Sequence, residues 1–135
     1  MTINAYTFHH VGIATKDLTE TYRFIEQVYP IVSKVGPLYD KNLGAELFLL
    51  NVEGAAAIEL VCGPAVQGVL KRGNSLYHVC YEVDDIEAIV HRQKYAGALV
   101  IVPPRPALLF EGRRVSFVHS PIGLIEFLER APMET

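Results

Sequence analysis

The stretch that starts at His10, HVGIATKDLTETYRFI, is written a second time from His78 as HVCYEVDDIEAIVHRQ. An aspartate follows each histidine by seven residues, Asp17 and Asp85, and an aliphatic residue, Leu18 or Ile86, then opens a helical pattern. Both aspartates fit helix N-caps or first-turn acids. The halves also end alike. AIELVCG and LIEFLER each set an Ile-Glu pair inside an apolar, strand-like run. Glu59 lies 49 residues after His10, and Glu126 lies 48 residues after His78. A chain duplicated in this way is expected to fold as two copies of one module.

Periodicity and turn residues give each half the order strand, helix, strand, strand, strand. The spans are about 7–14, 18–29, 31–38, 45–52 and 55–62, then about 76–83, 85–96, 98–102, 113–119 and 122–129. Gly36-Pro37, Gly54, Gly97, Pro103-Pro104 and Pro121 punctuate them. The joining segment 63–75 contains AVQGVLKRG, a candidate short helix. The expected class is α+β, with two βαβββ modules at about 7–62 and 76–130 in a single domain, 1–135. Half of the 135 residues are hydrophobic and a fifth are charged, which suits a domain with a sizeable core. The net charge of -3 argues against nucleic acid as a main partner. A small anionic substrate needs only one or two local cations. No apolar run approaches the roughly 20 residues of a membrane helix. The N-terminus lacks the basic and apolar regions of a signal peptide, so a cytoplasmic protein is expected. Cys62 and Cys80 both lie in apolar runs and outside any CxxC pair, and read as buried thiols.

Period-2 alternation sorts the polar residues by face. His10 shares a face with Phe8, Gly12 and Ala14, a face with room. His9 lines up with Val11 and Ile13 and reads as structural, on the side a helix packs against. Glu59 falls between Ala57 and Val61, His78 aligns with Cys80 and Glu82, and Glu126 falls between Leu124 and Leu128. A mid-strand glutamate among apolar residues is costly to bury without a partner, and it occurs twice at matching places. A pseudo-twofold between modules would bring the four residues together. Two imidazoles and two carboxylates suit a divalent ion with two positions left for water or substrate: nickel, cobalt, manganese, iron or zinc. His91 is expected to be exposed, His119 structural, Glu82 a spare carboxylate and Glu129 solvated.

These residues carry a family resemblance. HHVGIATKDL, AIELVCGP, LYHVCYEVDDIE and GRRVSFVHSPIGLIEFLE resemble the signature strands of the vicinal oxygen chelate (glyoxalase/bleomycin resistance/dioxygenase) superfamily, in particular of methylmalonyl-CoA epimerases and small bacterial glyoxalase I enzymes. The resemblance implies a cupped, eight-stranded mixed sheet, a homodimer, and His10, Glu59, His78 and Glu126 as metal ligands. It implies an isomerase or lyase that removes a proton beside a carbonyl through a metal-stabilised enediolate, with Glu126 doubling as the base. The substrate would be an acyl-CoA or a thiol adduct. The epimerase pattern adds a second glutamate in the loop entering the third strand. Here that stretch reads PLYDKNLGAELF, where Asp40 is the nearest candidate and Glu46 lies further along. Lys71-Arg72 and Arg113-Arg114 are candidate partners for glutathione carboxylates or a coenzyme A phosphate, or else ordinary surface charge. PPRPALLFEGRRV reads as a loop whose Leu109 and Phe110 close on an apolar part of the substrate. Two other classes share the fold: a metal-free sequestering protein, which needs no His/Glu quartet, and a dioxygenase, whose two-histidine, one-carboxylate face leaves Glu59 unexplained.

Overall fold

Eight strands and three α-helices form among the described residues, and each half of the repeat supplies four of the strands and a long helix. A computed structural model describes residues 5–131. The order is β1 (Thr7–Ala14), α1 (Leu18–Val28), β2 (Ile31–Asp40), β3 (Ala45–Val52), β4 (Ala57–Cys62), α2 (Gln67–Lys71), β5 (Leu76–Val83), α3 (Ile86–Tyr95), β6 (Leu99–Pro106), β7 (Arg114–Ser120) and β8 (Gly123–Glu129). The chain divides into two units: His10–Tyr77, and the segment up to His9 with that from His78 onwards.

The first unit orders its strands β2-β3-β4-β1. β1 runs parallel to β4, and β3 is antiparallel to both β2 and β4. One face is covered by α1. Leu18, Tyr22 and Ile25, at helical spacing, pack on Phe48, Leu50 and Leu60. The second unit repeats the plan as β5-β8-β7-β6, with β5 parallel to β8. Here α3 lays Ile86, Ile89 and Val90 on Val83, Val118, Ile125 and Phe127. Burying such side chains contributes about 1.5–3 kcal/mol each. The capping aspartates act as the repeat predicts. Asp17 Oδ1 accepts from Glu20 N–H at 3.0 Å, and Asp85 Oδ1 from Ala88 N–H at 3.0 Å. Each satisfies a helix N–H that has no partner in its own helix.

β6 is longer than its prolines suggest, continuing past Pro103-Pro104 to Pro106, and β2, expected to pass Gly36-Pro37 to about 38, runs on to Asp40. Both are terminal in their unit's strand order, and their ladders shift register at Val102/Arg105 and Val35/Leu38. A proline on the open side of a terminal strand, or at a bulge, forfeits no ladder hydrogen bond. Gly36 is required where it stands. Its φ is +105°, and a Cβ there would sit 2.8 Å from the Leu47 carbonyl oxygen.

Cys80 is buried as expected, but Cys62 is only half-buried. Burial, followed by the charge of Glu46, pushes the Cys62 thiol above its ordinary range. That leaves little thiolate at neutral pH. Among the described residues no helix is long and apolar enough to cross a membrane.

Candidate metal and proton-transfer site

Each unit builds a His–Glu pair from one rule of register. In the first unit the residue two after the histidine, Gly12, lies opposite Glu59 on the parallel neighbour β4. In the second unit the residue two after the histidine, Cys80, lies opposite Glu126 on β8. Side chains two apart on a strand share a face, so each glutamate becomes the diagonal neighbour of its histidine. His10 Nε2 stands 3.6 Å from Glu59 Oε1, and His78 Nε2 stands 3.0 Å from Glu126 Oε1. All four side chains are buried, His10 completely. The sequence duplication is thus a duplication of geometry.

The surroundings of each pair are apolar. Beside Glu59 lies Leu49 of β3, and beside Glu126 lies Phe117 of β7. The Phe117 ring also meets His78 edge-on at 5.3 Å. Buried carboxylates in such settings are held by cations or by hydrogen bonds. The donor chemistry fits a divalent ion. Two ligands on an ion with bonds of about 2.1 Å stand about 3.4 Å apart in tetrahedral geometry, against separations of 3.6 Å and 3.0 Å within the two pairs.

Asp40 and Glu46 lie elsewhere. Asp40 is buried at the end of β2. Its Oδ1 accepts from the N–H groups of Asn42 at 2.9 Å and Leu43 at 3.3 Å, closing its own turn. It pairs with Ala45, four residues and so about 13 Å along β3 from Leu49, the neighbour of Glu59. Glu46 is an odd number of positions from Leu49 and therefore faces the other side. There it pairs with Cys62, which packs on the α1 cluster.

His9, which reads as structural, is half-buried and meets Phe110 edge-on at 5.5 Å, while its neighbour Phe8 packs edge-on against Tyr81 at 5.7 Å.

Two further carboxylates of the second unit pair with arginines. Glu82 binds Arg113 at 2.9 Å instead of standing spare. Glu129, expected to be solvated, is half-buried and takes two nitrogens of Arg114, whose hydrogen bonds hold its carboxyl below the usual range. His91 is exposed as expected, and His119 is exposed at the end of β7. Leu109 and Phe110 are both buried, in a short 3-10 turn.

Comparison with known proteins agrees with this architecture. Residues 9–117 match the profile of the Glyoxalase/Bleomycin resistance protein/Dioxygenase superfamily. The chain is 37% identical over 118 residues to an ethylmalonyl-CoA/methylmalonyl-CoA epimerase of Cereibacter sphaeroides, covering 82% of this chain and 86% of that protein. It is similar to the solved structure of methylmalonyl-CoA epimerase from Mycobacterium tuberculosis, with TM-score 0.75 and 25% identity, over 93% of this chain and 89% of the other. A Streptomyces coelicolor methylmalonyl-CoA epimerase variant in complex with 2-nitronate-propionyl-CoA shares the fold, with TM-score 0.74 and 21% identity, over 95% of this chain and all of the other.

Proposed function

The chain belongs to the Glyoxalase/Bleomycin resistance protein/Dioxygenase superfamily, and from that premise we propose that it is a divalent-metal-dependent epimerase acting on a branched malonyl-CoA-type thioester. The observation that carries the reading is the pair of register-equivalent, buried His–Glu diagonals, one in each unit. In this reading His10, Glu59, His78 and Glu126 would each offer one donor atom to a single ion. Nickel, cobalt, manganese or zinc suits two imidazoles and two carboxylates. Such an ion supplies positive charge at a carbonyl oxygen that turns anionic as the neighbouring carbon loses its proton.

The protein's own groups do the rest. The Glu126 carboxylate takes the proton. It lies in an apolar setting beside His78 and Phe117, where little water competes for the charge. Phe117 and Leu49 shield their neighbouring glutamates. Asp40 is assigned to its turn, where Oδ1 accepts two backbone N–H groups, about 13 Å along the sheet from the neighbour of Glu59.

A second reading has its own observation. Glu46 faces the α1 side and Asp40 is tied to its turn, so neither brings a second carboxylate beside Glu59. That favours chemistry with a single transferring carboxylate, as a glyoxalase I-type lyase would use on a thiol adduct. The protein is further read as a cytoplasmic homodimer. Exposed Val32, Val35 and Tyr39 on the terminal strand β2 support a second copy as partner, and a monomer in sedimentation would refute it.

Metal analysis after purification without chelator should find about one divalent ion per chain. His10→Ala and His78→Ala should each lower that occupancy. Full stoichiometry and unchanged affinity in both variants would remove these residues from the site.

A further inference from the structure

Three arginines cluster at one end of the second unit, and two of them are fully committed. Arg114 gives Nε and Nη2 to Glu129 and Nη1 to Glu87. Arg130 gives Nε to Asp84 and Nη2 to Thr7, with Nη1 3.8 Å from Glu82. Arg113 differs. Among the described residues its hydrogen bonds, to Glu82 Oε2 at 2.9 Å and the Glu129 carbonyl at 3.3 Å, both leave from Nη1. Nε and Nη2 form a two-donor fork without a protein acceptor among those residues. Such a fork matches the paired oxygens of a carboxylate or phosphate.

The fork is held in place. The guanidinium lies over the Phe110 ring, 5.7 Å from its centre, and the side chain is 23% exposed. The segment that delivers it is closed by backbone bonds. Ala107 N–H donates to Arg113, Gly112 N–H to Ala107, and Arg113 N–H to Phe110. To close, it holds Glu111 at φ +55°, a left-handed conformation unusual for a residue other than glycine. Of the acids on the same surface, Asp84 is matched by Arg130 and Glu129 by Arg114, while Glu111 is exposed.

The anchor of the guanidinium is on the relevant face: Glu82 is two residues along β5 from Cys80, the partner of Glu126. That is one side-chain row, about 7 Å, on the same face.

We propose that Arg113 anchors an oxyanion of the substrate through its open Nε/Nη2 fork. This deepens, and rests on, the reading of the protein as an enzyme of acidic CoA thioesters. The oxyanion is either the acyl carboxylate or a phosphate of the carrier, and titration calorimetry with three probes separates the two. The probes are methylmalonyl-CoA, propionyl-CoA and methylmalonyl-pantetheine.

A carboxylate anchor predicts that the parent protein binds methylmalonyl-CoA about 10- to 100-fold tighter than propionyl-CoA, and that Arg113→Gln erases the difference. A phosphate anchor predicts that Arg113→Gln weakens both CoA thioesters alike and leaves the pantetheine thioester unchanged. Arg113→Lys keeps the charge but not the fork and should lie between; it serves as the second variant where Arg113→Gln melts early. Arg114→Gln should leave all ratios unchanged. Identical affinities in folded Arg113→Gln and parent protein for all three probes would overturn the proposal, as would a parent protein that binds none of them. Binding is read without turnover, so a preserved preference with no proton exchange would sink the assigned reaction alone.

Discussion

Glu126→Gln should slow proton exchange beside the thioester carbonyl by about 10²- to 10⁴-fold. The substitution keeps shape and volume, so the 3% exposed side chain still fills its place beside Phe117. An amide oxygen remains a ligand, so metal occupancy should stay near one per chain while the rate falls. That combination separates the loss of a base from the loss of a site. Glu59→Gln is the matched control, because it alters the register-equivalent glutamate in the other unit. It should retain a larger share of the rate than Glu126→Gln. If the two effects came out reversed, with occupancy intact in both, Glu59 would be the base.

Phe127→Ala should carry the largest cost in stability. Phe127 is 1% exposed and sits among Val83, Ile86, Ile89, Val118 and Ile125, with the Tyr6 ring edge-on at 5.7 Å. Deleting a buried phenyl ring costs about 3–5 kcal/mol in lost transfer energy and residual cavity. Set against a typical total of about 5–15 kcal/mol, that should lower Tm by about 10–20 °C in a domain of this size. Ile122→Ala, at 81% exposure between β7 and β8, should change stability by no more than about 0.5 kcal/mol. Comparable melting points for the two variants would mean that the α3 cluster is not where the second unit is held together.

The repeat carried more of the site than any single motif. A histidine opening one strand and a glutamate in its parallel neighbour are 49 or 48 residues apart in sequence, yet the matched spacing marks them as one device used twice. Helix starts were legible for the same local reason, since an aspartate before an amphipathic run has one good use. What escaped was non-local. Proline reads as a stop signal, but at a sheet edge its missing N–H costs nothing, so β6 ran on past Pro103-Pro104. The edge-on contact of His9 with Phe110 joins residues 101 apart, which alternation within one strand does not encode. The open fork of Arg113 is visible only once Arg114 and Arg130 are seen to be occupied. In sequence the adjacent Arg113 and Arg114 look alike.

The most direct test of the central claim is deuterium entry into methylmalonyl-CoA in heavy water, followed by mass spectrometry with the metal-loaded protein. The account predicts one deuterium at the carbon between the two carbonyl groups. Entry should be well above the buffer rate, lost on chelation and restored by a divalent ion. A protein that carries its ion and still adds no deuterium beyond buffer would contradict it.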